Sequence, residues 1–437
     1  MNISCHRPPV NNNVHNKANN TSLPFPIGRI ELIIMMASLM SLNALAIDIM
    51  LPALGLISDD FALAGENDRQ WIITSYIYGM AIGSILYGSL ADRYGRKPVL
   101  LVTTAIYVGF GILCAFSENY DLLLAARFIQ GLAASAMGVL ANSIIRDRYE
   151  GDAMARTMST IMMVFMAVPV LAPMLGQLVL VFAPWQVIFI VLSGFGLLAL
   201  IWVFIRLPET LNPDDKTSIN ISSVASAWAH VILHRNAVGH VLASGLMMAP
   251  LFAFIASAQQ IFFNTFDAAH IFVFIFAVNA IAMAFCNFIN SRIVMRFGAR
   301  RVSQAALIFF IVIAIIHLGI TLAGWLTMWI FVVLLAASMG MVGFTGANFS
   351  SVAMQPFGKT AGVASSFQNF TRTLISAAIG GAIGLQFDGT TLPLVIGFFI
   401  CGSGAFLFVL WAEKGRLFRR VQTAATSGPL SPDQRAV

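Results

Sequence analysis

The chain has 437 residues, 58% of them hydrophobic and only 10% charged, with a formal net charge of +6. So few charges cannot clothe a soluble protein of this length, which excludes an ordinary soluble enzyme or nucleic-acid binder. Apolar runs of about 20 residues recur along the chain, the length of a membrane-spanning helix.

The opening stretch is rich in Asn and poor in apolar residues, and 1–29 is expected to be a disordered N-terminus. No short apolar segment with a small-residue cleavage site stands there, so the first apolar run is expected to remain as a span. Twelve spans are expected, at roughly 30–57, 71–91, 98–117, 121–145, 156–182, 185–206, 238–264, 270–292, 302–322, 325–350, 360–386 and 391–411. They divide into a six-helix bundle over 30–206 and a second over 238–411. A linker over 207–237 joins them, and a tail over 412–437 follows. In the linker, Ile221, Val224, Trp228, Val231 and Ile232 recur at helical spacing, with His230, His234 and Arg235 beside them. That pattern predicts an amphipathic helix on the membrane surface. His230, His234 and His240 do not make a metal motif, and Cys5, Cys114, Cys286 and Cys401 show no disulfide framework.

With the N-terminus inside, all 25 Lys and Arg fall in cytoplasmic segments except Arg69, Arg127 and Arg372. The opposite loops carry Asp59, Asp60, Glu66, Asp68, Glu118, Asp121, Asp267 and Asp388. This asymmetry predicts that both termini are cytoplasmic. Two basic turns repeat: GSLADRYGRK from Gly88 to Lys97, and SRIVMRFGARR from Ser291 to Arg301. Arg93-Tyr94-Gly95-Arg96 aligns with Arg296-Phe297-Gly298-Ala299, which indicates a duplicated membrane protein with two parallel halves.

Three charges fall inside spans. Asp48 costs about 2.5–3.5 kcal/mol at a span centre, so it needs a partner or a wet cavity. Pro52, four residues on, removes a helical donor and is expected to kink the span. Arg127 lies about 9 Å into its span and Asp48 about 15 Å into its own, measured from the same side at the rise of a helix. A long Arg side chain bridges such depths. Two other readings stay open: Asp48 as a permanently paired packing acid, and Arg127 as a structural arginine satisfying backbone carbonyls. Arg372 lies about 18 Å deep, and Ser365, Gln368, Asn369 and Ser376 share its polar face. That face serves either substrate contact or packing. Asn43, Gln259 and Asn264 join Asp48, Gln368, Asn369 and Arg372 as candidate substrate-binding residues. His317 is expected to be a satisfied structural histidine. Gly79 with Gly83, and Gly380 with Gly384, are small-residue pairs read chiefly as tight packing. No phosphate loop, HExxH or nucleophile elbow appears, so no enzyme and no built-in ATP-driven pump is expected.

Five stretches carry a resemblance. They are LNALAIDIMLPAL (Leu42 to Leu54), the loop from Gly88, RFIQGLAAS (Arg127 to Ser135), VPVLAPMLGQ (Val168 to Gln177) and LPETL (Leu207 to Leu211). Together they resemble the twelve-span drug:proton antiporters of the major facilitator superfamily, of the bicyclomycin- and chloramphenicol-resistance type. The resemblance implies an all-α integral membrane protein with twelve transmembrane helices in two pseudo-symmetric six-helix bundles. It implies proton-coupled export of small drug-like molecules by alternating access, with Asp48 as the coupling acid and Arg127 its counterpart. Gly88, Asp92, Arg93, Gly95 and Arg96 would form a cytoplasmic latch, with Asp92 directed at the start of the eleventh span. Met295 holds the position aligned with Asp92, so the latch should be one-sided. Pro169, Pro173 and Gly176 match the antiporter signature of the fifth span, while Ala172 and Gln177 replace two of its usual glycines. The resemblance further implies protons as the coupling ion with no other cofactor or metal, a monomer in the bacterial inner membrane and no nucleic-acid partner. The rival expectation is a proton-linked or facilitative importer of a small metabolite.

Overall fold

Apolar chain inside a bilayer must satisfy its own backbone hydrogen bonds, and helices do so within one segment. The computed structural model describes residues 27–65, 67–149, 151–212, 216, 228–229, 231–357 and 361–419. Its first half contains α1 (Arg29–Asp48), α2 (Leu54–Asp60), α3 (Trp71–Tyr94), α4 (Arg96–Ala115), α5 (Tyr120–Arg148), α6 (Gly151–Phe165), α7 (Val168–Phe182) and α8 (Gln186–Arg206). The second half contains α9 (Arg235–Gln260), α10 (Phe272–Phe297), α11 (Ala299–Leu322), α12 (Met328–Met354), α13 (Ala361–Gly384) and α14 (Leu392–Ala412).

Among the described residues, 11 helical stretches are long and apolar enough to cross a membrane. The 24-residue α13 is not one of them, because Gln368, Asn369 and Arg372 dilute its apolar content. It nevertheless packs lengthwise between α3 and α9 and makes a twelfth crossing. Twelve crossings leave both ends of the described chain on one face, here the terminal face; the other is the distal face.

Within the first half α3 packs on α5, and α4 on α5 and α8; within the second, α9 packs on α13 and α14, and α11 on α12. The halves meet along two seams, α3 with α13 and α7 with α10. The glycine pairs serve close packing mostly inside each half. A Cβ on Gly79 would strike the Phe128 carbonyl, and one on Gly380 the Ala249 carbonyl, whereas Gly384 abuts Gln70 across the seam.

Several expectations need correction. The disturbance at Pro52 is a change of helix type: α1 stops at Asp48, a 3-10 turn spans Leu51–Ala53, and α2 runs on to Asp60. The fifth crossing is also interrupted, between α6 and α7. The N-terminal segment already has structure at its end, since Ile27 is buried and Arg29 starts α1 and bonds Thr157. The tail over 412–437 begins folded against the second half, where Glu413 is buried and the Phe418 N–H donates to Gln304. Most of the expected linker helix, including Ile221 and Val224, lies outside the described residues.

One residue joins α3 to α4 and one joins α10 to α11. Gly95 has φ of 106° and Gly298 has φ of 84°, a region open chiefly to glycine. The duplication read from the two basic turns is therefore a duplication of backbone geometry.

Candidate functional site

The centre of the first half is the break in α1. Asp48 is its last residue and is 4% exposed. Pro52 lacks the N–H that would have continued the helical ladder to the Asp48 carbonyl, so α1 ends there. Among the described residues, the buried Asp48 Oδ1 has no hydrogen-bond partner. α7 presses on the same break. A Cβ on Gly176 would stand 1.9 Å from the Ile49 carbonyl oxygen, so only glycine fits at this crossing. Pro169 opens α7 and Pro173 lies inside it. The stretch resembling the antiporter signature thus lies directly against the residue that follows the candidate acid.

Arg127 is fully buried. Its Nε donates to the Ile72 carbonyl at 3.2 Å, Nη1 to Gln130 Oε1 at 2.8 Å and Nη2 to the Ala46 carbonyl at 3.0 Å. Its guanidinium carbon lies 4.3 Å from the centroid of the Tyr76 ring, a cation–π contact. The expected Asp48–Arg127 ion pair is absent from the described structure. The physical reason is the break itself. The last carbonyls of a helix lack intrahelical donors, and the guanidinium takes one of them instead of the carboxylate. Arg127 therefore staples the end of α1 to α3 and α5, the second of the readings left open for it.

Asn43 is used in the same way. Its Nδ2 donates to the Ala134 carbonyl at 3.1 Å, and its Oδ1 accepts from the Tyr76 hydroxyl at 2.8 Å. Gln259 of α9 is buried, its Oε1 without a partner among the described residues, and its Nε2 faces Gly55 of α2, across from the α1 break. Asn264 lies exposed on the π turn Ile261–Thr265 at the distal end of α9.

The polar face of α13 is open. Gln368 is 5% exposed with no partner for its Oε1 among the described residues, Asn369 is exposed, and Arg372 is half-buried. The Arg372 guanidinium donates to Asn369 Oδ1 at 3.4 Å. Next to this face a cavity of about 340 Å³ lies between the halves, toward the terminal face. Ser84 and Asp92 of α3, Asn142 and Arg146 of α5, Ser365 and Asn369 of α13 and Trp228 line it. Trp228 sits edge-on to Phe367 at 5.3 Å and stacks on Phe370 at 5.7 Å. The described end of the linker therefore docks on α13 rather than resting only on a membrane surface.

The loop after α3 is a charge cluster of the first half. Asp92 accepts from Arg96 Nη1 at 2.5 Å, and Arg96 Nε donates to Asp147 at 3.0 Å. The Glu209 carboxylate accepts from the Arg96 N–H at 2.9 Å and the Lys97 N–H at 3.2 Å, capping α4. Arg93 stacks on Tyr94, and Gly88 faces Ser366 of α13 across the seam. Thr360, the expected start of the eleventh span, lies outside the described residues. Met295, aligned with Asp92, is 87% exposed. His317 needs a correction: it is buried, both ring nitrogens lack partners among the described residues, and the Phe331 ring lies 5.4 Å away.

Sequence reasoning missed an amide clasp at the distal end of the α3–α13 seam. Asn67 Nδ2 donates to the Leu385 and Phe387 carbonyls, each at 2.9 Å. Gln70 Nε2 donates to Gln260 Oε1 at 2.6 Å and to the Gly384 carbonyl at 2.8 Å. Gln260 Nε2 donates back to Asn67 Oδ1 at 2.7 Å. Every one of these bonds joins one half to the other. Glu209 and Asp147 were also missed as charge partners; the LPETL stretch marked the first without its role.

The geometry is that of two similar bundles fastened at one end of their seam and parted by a polar cavity at the other. Comparison with known proteins bears on the fold and the family. The chain is 27% identical to the Bicyclomycin resistance protein homolog of Haemophilus influenzae over 371 residues, covering 83% of this chain and 91% of that protein. It is 36% identical to Multidrug resistance protein MdtL of Klebsiella pneumoniae over 164 residues, 38% of this chain and 42% of that one. The crystal structure of a D-xylose-proton symporter superposes with a TM-score of 0.68 at 14% identity, over 90% of this chain and 98% of that one. That likeness shows the fold alone. The sequence profile of the Major Facilitator Superfamily matches residues 36–381, so this chain belongs to that superfamily and is a membrane transporter rather than an enzyme.

Proposed function

We propose that the chain exports small drug-like molecules in exchange for protons, and that Asp48 is the group that exchanges the proton. The observation that carries this reading is the donorless carboxylate oxygen at the α1 break. Burying an ionised carboxylate with one oxygen lacking a donor is costly, and binding a proton relieves that cost. The break also lies where a conformational change would be felt, because α7 and Arg127 both grip it. Rocking of the halves would alter water access to Asp48 and so couple proton exchange to the cavity. Arg127 acts here by holding the break in shape. The names of the two relatives favour drug-like substrates, and the open Arg372 favours neutral, zwitterionic or weakly acidic ones over permanent cations. The Lys and Arg asymmetry supports a cytoplasmic terminal face in a bacterial inner membrane, so the clasped state is inward-facing.

The test is flux in proteoliposomes under an imposed pH gradient, with neutral, cationic and acidic compounds, for wild type and Asp48→Asn. Wild type should move substrate against the proton gradient, and an importer would move it with the gradient. Asp48→Asn should lose pH-driven flux while retaining substrate binding with less pH dependence. Equal proton release on substrate binding by mutant and wild type would remove Asp48 from the mechanism.

A further inference from the structure

The two basic turns share backbone geometry but differ in what neutralises them. In the first half, Glu209 places its carboxylate on the N-terminal N–H groups of α4, against Gly95. In the second half, Glu413 follows α14 as Glu209 follows α8. It turns away, to Arg300 at 3.0 Å and His240 at 3.5 Å. Among the described residues no side chain caps the start of α11, and none comes within 4 Å of where a Cβ on Gly298 would stand.

Around that opening lies a cavity of about 190 Å³ lined by Arg296, Arg300, Arg301 and Arg419, with Gln355 beside them. Glu413 neutralises Arg300. Among the described residues, Arg296, Arg301 and Arg419 have no acidic partner. Arg301 Nε is held by the Phe418 carbonyl at 2.9 Å, which fixes the guanidinium at the cavity wall. Arg296 and Arg419 are exposed. Three uncompensated guanidinium groups beside an uncapped helix start make a site for an oxyanion.

The cavity adjoins a second one of about 490 Å³ that is apolar and shares Phe297 and Arg301 with it. Phe309, Met341 and Phe344 wall this groove, and Phe418 closes one end. Phe297 is 50% exposed and Phe309 62%, so the groove opens outward at the level of the bilayer. A soluble anion would leave it unused.

We propose that this is a binding site for an anionic phospholipid of the leaflet that meets the terminal face. The phosphodiester lies among Arg296, Arg301 and Arg419 on the first turn of α11, where the first half uses Glu209, and one acyl chain lies in the groove. Selectivity comes from the head group, because an acyl chain gains little on moving from bilayer to groove. Basic pockets between membrane helices recognise anionic head groups in this way. The site does not depend on the transport reading, since none of its residues lines the cavity between the halves.

The experiment uses the purified full-length protein in native mass spectrometry and thermal-shift titration. The probes are phosphatidylglycerol, phosphatidylcholine and glycerol 3-phosphate. Phosphatidylglycerol should be retained and should raise the melting temperature; phosphatidylcholine should do neither. Arg296→Gln and Arg419→Gln should each weaken phosphatidylglycerol binding roughly fivefold, as expected for about one unit charge near a membrane surface. Ala305→Trp, which fills the groove, should weaken it as well. Arg292→Gln, on the same helix but outside the cavity, should leave it unchanged. The proposal is overturned if the double variant Arg296→Gln/Arg419→Gln retains the lipid as wild type does. It is equally overturned if phosphatidylcholine binds as well, or if glycerol 3-phosphate competes on equal terms with the lipid.

Discussion

Opening the distal face requires breaking the amide clasp, so Gln70→Leu should shift the protein toward the state open on that side. The substitution removes two hydrogen bonds that join the halves, to Gln260 and to the Gly384 carbonyl. Each contributes about 0.5–1.5 kcal/mol net of water. Their loss should favour the distal-open state by about 1–3 kcal/mol, a shift of roughly 5- to 150-fold in the equilibrium. In the open state the amides would be hydrated, so the variant loses little there. The clasp carries no charge, so the effect should be insensitive to salt. The assay is a distance distribution between spin labels placed at Glu118 and Asp388, exposed positions in distal loops of the two halves. Wild type should populate mostly the short distance, and Gln70→Leu should add or enlarge a longer one. An unchanged distribution would refute the clasp as a gate and reduce it to ordinary packing.

Gly176→Ala should lower the melting temperature of the purified protein, because its Cβ would stand 1.9 Å from the Ile49 carbonyl oxygen and force α7 off the α1 break. Overpacking of this kind costs about 1–3 kcal/mol; Gly194→Ala, with nothing within 4 Å, is the control that should melt like wild type. Glu209→Gln should cost about 1 kcal/mol at low ionic strength by removing the carboxylate from the start of α4. Melting curves should show that deficit shrinking in high salt, and a salt-independent deficit would count against the charge as its source.

Much of this was legible from the residues. Span positions follow from apolar length, and the polar face of α13 follows from the spacing of Ser365, Gln368, Asn369 and Arg372. Pro52 marked the place where the first crossing is disturbed. What sequence does not carry is azimuth. Depth along two helices put Asp48 and Arg127 within reach of each other, but the carbonyl partners of Arg127 depend on how α1 is turned once it breaks. Gln259 and Gln260 are neighbours in sequence and about 100° apart around a helix. Sequence alone could not say that Gln260 enters the clasp while Gln259 faces Gly55. The clasp needs Asn67, Gln70 and Gln260 together, and the residues come from two halves whose register only the fold supplies.

The duplication shows the same limit from the other side. The aligned turns predicted equivalent geometry, and Gly95 and Gly298 deliver it. Equivalence of charge does not follow, because Glu209 and Glu413 each choose among several donors within reach. Where Arg96 offers its backbone N–H and Asp147 takes its side chain, Glu209 is free to cap the helix. Where a buried His240 and the Arg300 side chain lie within reach, Glu413 pairs with them, and among the described residues no side chain caps that helix start. Two copies of one motif thus arrive at different local charge, the first neutralised and the second positive. The first is closed by its own chain, and the second is left with the electrostatic capacity to hold an anion from outside it.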